Sequence, residues 1–145
     1  MHPAAAKMLF GDEVAHLTPA LAQRRQWILH SRAYPLIDCS FLAPGRTTMR
    51  VQLHCDDWND LPPSISLHDA TGALLATTPP NPMNVFNSSA HPVTGRPFIC
   101  MRGSREYHTH SSHVTDLWEP LKGSSKYSLG GILTQVWNAW LKGVG

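Results

Sequence analysis

The chain has 145 residues, 42% of them hydrophobic and five of them tryptophan, which suits one domain, residues 1–145, built on a single sizeable core. Twelve Lys and Arg against ten Asp and Glu leave a formal charge of +2, and charged residues make up only 15%, so the chain carries no basic stripe for a phosphate backbone and no nucleic-acid partner is expected. Nine histidines make its charge climb as the pH falls.

Met1 to Phe10 contains alanines but no sustained apolar stretch after a basic start, so it does not read as a secretory signal, and no segment has the length of a membrane span. Three cysteines without framework spacing fit a reducing compartment. The expected location is the cytoplasm.

Thr18 followed by Pro19 starts a helix that the spacing extends to about His30, with Leu17, Leu21 and Ile28 facing a sheet and Gln23, Arg24 and Arg25 facing outward. From Pro35 the period changes to two. Ile37, Cys39 and Phe41 share one face and Asp38 and Ser40 the other, up to the turn at Pro44-Gly45. Thr47 to Cys55 alternates again, Ile65 and Leu67 mark a third strand, and Ala73 to Thr77 a fourth after Thr71-Gly72. Short connections make this an antiparallel meander of about four strands, and the chain an α+β domain. Thr78 to Arg96 is rich in Pro, Asn and Ser and reads as irregular surface chain. Pro97 to Met101 is a short apolar piece, Arg102 to Asp116 is polar, and Leu129, Ile132, Leu133, Val136, Trp137, Trp140 and Leu141 recur at the spacing of a core-packed helix.

Cys39 and Cys55 fall on apolar strand faces, where cysteine acts as a small hydrophobe. Cys100 instead ends an apolar piece and opens onto a loop bearing His108, His110 and His113, the partly exposed setting in which a thiolate forms and reacts. The same loop offers a second chemistry. His108, His110 and His113, with Cys100 as a fourth ligand, are donors that a tetrahedral zinc accepts, although the spacing is no recognised signature.

The order His91-Pro92-Val93, Gly95, Phe98-Ile99-Cys100 and Trp118-Glu119-Pro120 before an apolar helix resembles the active-site stretch of ubiquitin-conjugating enzymes, where a His-Pro-Asn motif precedes a Gly-x-Ile-Cys nucleophile and a Trp-x-Pro follows. Upstream, Met49 to Leu53, Asp56-Asp57-Trp58 and Leu61-Pro62-Pro63 are similar to that family's strand, Tyr-Pro-Phe loop and Pro-Pro, so the resemblance runs from about Leu17 to Leu141. It implies a UBC-like fold with an N-terminal helix, a meander, an active-site loop and a C-terminal crossover helix. It further implies an enzyme, a transferase that accepts a ubiquitin-like protein from an activating enzyme as a thioester on Cys100 and passes it to an amine of a protein target. No cofactor is then required, and no membrane is involved.

The chemistry of that transfer makes His91, His113 and Asp116 the candidate catalytic companions of Cys100: a protonated His108, His110 or His113 beside the sulfur would raise its thiolate fraction, and Asp116 or a neutral histidine would orient or deprotonate the amine. Arg24 and Arg25 on the first helix would meet the activating enzyme, and Trp118 is placed with the partner-binding residues, although Trp58 and Trp118 also suit packing anchors. The chain departs from the pattern at Val93, where the family has an asparagine that supports the oxyanion; Asn84, Asn87 or His91 are the nearby donors available to replace it. The stretch from Cys100 to Trp118 is longer than usual, and the sequence ends at Gly145 without the family's last helices. These features fit a minimal bacterial-type member, of the kind found in prokaryotic conjugation operons, some of them linked to phage defence. A non-catalytic scaffold that binds a ubiquitin-like protein is the third reading; Val93 favours it and the retained Cys100 speaks against it.

Overall fold

The computed structural model describes residues 2–79, 84–87 and 89–143. Two helices, α1 (Pro3–Val14) and α2 (Pro19–Arg25), precede four strands, β1 (Trp27–Ala33), β2 (Leu36–Phe41), β3 (Met49–His54) and β4 (Ser64–His68). A two-residue pair follows, β5 (Phe86–Asn87) and β6 (Phe98–Ile99), then a short helix α3 (Arg105–Thr109) and the long helix α4 (Leu129–Lys142). The fold is therefore mixed α+β, and β1 to β4 form an antiparallel sheet in chain order. No helix among the described residues is long and apolar enough to cross a membrane.

Alternation fixes which face of the sheet is buried, because a period of two sends neighbouring side chains to opposite sides. Phe41 stands opposite Met49, Ile37 opposite Leu53 and Val51 opposite Leu67, and all six are buried. Phe10 and Val14 of α1 and Ile132, Leu133, Val136 and Trp140 of α4 join the same core, with Trp140 5.7 Å from Phe41 between ring centroids. The opposite face is polar: Asp38, Ser40, Arg50, Gln52, His54, Ser66 and His68 occupy the alternate positions.

The first helix of the sequence reading is α2, and Thr18 caps it as expected, its Oγ1 accepting from Leu21 N–H at 3.2 Å. It stops at Arg25 rather than His30. Gln26 takes a left-handed backbone (φ 57°), and Trp27 to Ala33 pairs with β2, so the spacing of Leu17, Leu21 and Ile28 only imitates a helix. Leu17 is buried, whereas Ile28 lies on the outer face of β1 and is 48% exposed. Arg25 does not face outward either. Its guanidinium lies over the rings of Trp27 and Trp137 at 4.9 and 5.1 Å and donates to Thr134 Oγ1 at 2.8 Å, fastening α2 to α4, while Arg24 is exposed.

β1 makes up the count of four strands. Ala73 to Thr77, read as a strand, contributes a single bridge between Leu74 and His68. Helix α1 corresponds to no expected element; Ala6, Phe10 and Val14 are its buried face. One carboxylate links three parts of the core: Glu13 of α1 accepts from Trp58 Nε1–H at 2.5 Å and from Leu129 N–H at 2.8 Å, the latter at the start of α4.

The start of α4 is also where glycine is required. Ser128 Oγ accepts from Gly131 N–H at 3.0 Å, and the turn at residues 125–127 crosses so closely that a Cβ on Gly131 would overlap the carbonyl oxygen of Ser125. A Cβ on Gly130 meets only Leu17 Cδ2 at 3.6 Å, an ordinary contact. Gly131→Ala is expected to lower stability by about 1–3 kcal/mol or more, as overpacking against backbone does. Gly130→Ala is expected to be neutral or to add up to about 1 kcal/mol through helix propensity. Urea melts of the two variants check the pair, and equal destabilisation would remove the close crossing as the cause.

Candidate functional site

Three segments build the surroundings of Cys100. The sulfur follows β6, and Cys100 N–H donates to the carbonyl of Val85 at 2.5 Å, tying it to the chain before β5. Next comes a tight turn in which Gly103 has φ 93°, and Ser104, fully buried, donates to the carbonyls of Ile99 and Met101 while its Oγ caps α3 by accepting from Tyr107 N–H at 3.2 Å. Helix α3 then places Glu106 inward, where its carboxylate accepts from Ser64 Oγ–H and Ile65 N–H of β4, both at 2.6 Å. This pair of bonds seats α3 on the edge of the sheet.

The third segment brings His113 back to the sulfur. Its Nε2 lies 3.7 Å from Cys100 Sγ, within reach of an S–H donor, and its ring stacks on Tyr107 at 4.1 Å between centroids with planes 12° apart. The Tyr107 hydroxyl donates to Asp116 Oδ2 at 2.6 Å, and Arg102 Nε donates to the same oxygen at 2.7 Å. Sulfur, imidazole, phenol, carboxylate and guanidinium thus form one sequence of contacts. Tyr107 and Arg102 hold the Asp116 carboxyl below the usual carboxylate range, the phenol being the larger cause, so Asp116 stays ionised and is a weak base.

The other expected residues are engaged elsewhere. His91 is buried and its Nε2–H donates to the carbonyl of Glu106 at 2.7 Å, while its Nδ1 accepts from Val93 N–H at 3.0 Å. It orders the turn at residues 91–96, so it positions that loop and has no contact with the sulfur among the bonds described. Val93 is 74% exposed, Asn84 is exposed, and Asn87 Oδ1 accepts from Ser89 N–H. Trp118 is buried rather than partner-facing. Its indole N–H donates to Asn59 O at 2.8 Å and its ring meets Trp58 at 5.8 Å.

The three loop histidines do not converge. His108 Nδ1–H donates to the carbonyl of Asp116 at 2.7 Å and Nε2 accepts from Gly103 N–H at 3.1 Å, which spends both nitrogens on the backbone; burial pushes its pKa down. His110 stacks on Phe98 and its Nδ1 bonds Ser112, leaving His113 alone at the sulfur. Among the described residues no group of three or more His, Cys, Asp or Glu is arranged to hold a metal ion. Sequence reasoning missed Tyr107 and Arg102. The sequence does hold a sign of α3, since Ser104 followed by Glu106 is a capping start, but nothing local announces that Tyr107 will lie under His113.

An α+β domain with a single half-exposed cysteine beside an imidazole is what the geometry defines. A protein-family model described as Y4jH-like, of the Y4jH family, matches residues 75–144, a stretch that takes in Cys100, the histidine loop and α4. No curated protein matches the chain.

The three cysteines are predicted to differ in reactivity. Burial pushes the Cys39 thiol up to about 12 and raises that of Cys55 as well, and both are essentially without exposed surface. Cys100 is half-buried, and its pKa is raised by the same cause, so its thiolate fraction at pH 7.4 is below that of a free thiol and rises with pH. Iodoacetamide on the native protein, read by intact mass, should add one label, at Cys100, with a rate that climbs about tenfold per pH unit between pH 7 and 8.5. Equal labelling of Cys39 or Cys55 in folded protein would contradict the burial argument.

Proposed function

We propose that this protein is a carrier and transferase for a ubiquitin-like protein, with Cys100 as the acyl acceptor. The observation that carries the reading is the 3.7 Å approach of His113 Nε2 to Cys100 Sγ at the one cysteine that retains exposed surface. The order of a helix, a four-stranded meander, a cysteine-bearing segment and a final helix supports it, as does the resemblance of the segments around His91, Cys100 and Trp118 to those of conjugating enzymes. Val93, Val114 and Leu117, each more than half exposed, lie on the chain that leads into and out of the cysteine region and suit contact with protein partners.

Loading is a transthiolation. Cys100 sulfur attacks the thioester carbonyl presented by an activating enzyme, a new C–S bond forms, the old one breaks, and the donor thiol leaves. The Cys100 proton passes to His113, whose neutral Nε2 faces the sulfur, and on to the departing thiolate. Discharge reverses the sense. An amine nitrogen attacks the Cys100 thioester, the C–N bond forms as the C–S bond breaks, and the thiolate leaves while a base takes the ammonium proton. His113 is the nearest such base. Tyr107 and Asp116 are positioning residues in this scheme: the stacked phenol fixes the imidazole plane, and the carboxylate fixes the phenol.

The test mixes the protein with a bacterial-type activating enzyme, the ubiquitin-like protein that this enzyme activates, and ATP, and measures intact mass without reductant. Wild type is expected to gain one ubiquitin-like protein, removed by dithiothreitol; Cys100→Ala should gain none, and Cys100→Ser should form an adduct that resists thiol. His113→Gln should slow loading about 100-fold, the usual worth of a positioned base. Tyr107→Phe, which keeps the stack and loses the bond to Asp116, should slow it only a fewfold. A folded wild type that gains no mass, or an adduct retained in Cys100→Ala, would overturn the reading.

A further inference from the structure

The outer face of the sheet holds a second feature, independent of Cys100. Gln52 and His54 of β3 and Ser66 and His68 of β4 point away from the core, and the segment before β6 lays Thr94 and Arg96 beside them, enclosing a cavity of about 400 Å³. That is room for a small metabolite, and its walls are rich in donors.

A chain of hydrogen bonds runs through it. His54 Nε2 lies 3.1 Å from Ser66 Oγ, Ser66 Oγ lies 2.7 Å from His68 Nε2, and His68 Nδ1 lies 3.1 Å from the carbonyl of Gly72. A carbonyl only accepts, so His68 carries its hydrogen on Nδ1; in the neutral ring Nε2 accepts from the Ser66 hydroxyl, whose oxygen accepts from His54 Nε2–H. Every donor in the chain is then spent within it. A proton on His68 reverses one link: both imidazoles donate to Ser66 Oγ, and the hydroxyl hydrogen is turned out toward the cavity.

The charges around the chain leave room for an anion once that proton is present. Arg50 is engaged by Asp38 through two bonds of 2.8 and 2.7 Å, and Arg105 and Asp56 offset one another beside His54. Glu106, already accepting from Ser64 and Ile65, offsets one positive charge. Arg96, exposed, has no ion pair or hydrogen bond from its guanidinium among the described residues. With neutral histidines Arg96 and Glu106 balance; with His68 protonated the cavity carries a net positive charge and a free hydroxyl donor. Burial lowers the pKa of His54, which keeps that ring neutral in the chain.

We propose that this cavity is a binding site for the phosphate group of a small metabolite, held by the Arg96 guanidinium and the Thr94 and Ser66 hydroxyls, and that His68 takes up a proton as the anion binds. A forked guanidinium with two hydroxyls matches the several acceptor oxygens of a tetrahedral oxyanion.

Calorimetric titration tests it with three probes: sulfate, whose charge is constant between pH 6 and 8, ribose 5-phosphate, and ribose as the uncharged control. Wild type should bind sulfate and ribose 5-phosphate one to one and ribose not at all, with sulfate about tenfold tighter at pH 6 than at pH 8 through the linked proton. Arg96→Gln should weaken both anions at least tenfold; His68→Asn should abolish the pH dependence, and Ser66→Ala should reduce it. Circular dichroism and selective alkylation of Cys100 verify that each variant is folded. No saturable binding by folded wild type, or undiminished binding by Arg96→Gln, overturns the site. Affinity independent of pH, or a slope that survives in His68→Asn, overturns the proton coupling. Ribose 5-phosphate no tighter than sulfate overturns the assignment to a metabolite.

Discussion

The seating of α3 on β4 is the constraint on which the arrangement of this protein depends, and one buried carboxylate makes it. Glu106 bonds a side chain and a backbone N–H of the sheet, and the carbonyl of the same residue receives the His91 imidazole. A carboxylate taken out of water is costly unless its oxygens are used, so this residue holds its place only while β4, α3 and the turn at residues 91–96 are all in register. On one side of that joint lies the cysteine with its imidazole; on the other lies the polar cavity of the sheet. Either region is a continuation of the other through a few covalent bonds.

The setting of Cys100 combines two kinds of order. Backbone groups fix the turn, through Ser104 and through His108, whose nitrogens are both consumed by main-chain partners. Rings then continue outward in a line, from Trp118 to His108, Tyr107, His113, His110 and Phe98, with centroids 4.1 to 6.0 Å apart. Aromatic contacts of this kind add to area burial and restrict ring rotation. Of the three loop histidines, only His113 presents a nitrogen to the sulfur, which is why a count of histidines in the sequence overstates both the supply of bases and the supply of metal ligands.

Elements with a strong internal period were legible. The seven apolar positions of α4 and the alternation of β2 and β3 announce their structures and their buried faces together, and Thr18-Pro19 marks a helix start. The failures have physical causes. Ala6, Phe10 and Val14 recur every four residues, yet charged and small residues between them weaken the contrast, and α1 passes unnoticed. Trp27 to His30 reads as helix because leucines upstream fall at helical distance, and only pairing with β2 decides for a strand. At the candidate site, the standing of Cys100 apart from Cys39 and Cys55 was visible in its neighbours. The alliance of Tyr107, Asp116 and Arg102 was not, because contacts across a loop leave no period in the sequence.

The backbone use of His108 reaches beyond geometry. Its ring is held in one neutral tautomer by a carbonyl on one nitrogen and an N–H on the other, so it accepts no proton without giving up a main-chain bond. The pKa of His108 is lowered in the folded chain, which means that the unfolded chain binds more protons near and below the ordinary value of 6.5, and the stability it contributes is lost as the pH falls through that range. Acid therefore loosens the turn around the sulfur, and the domain has a built-in lower limit of pH for an ordered cysteine region.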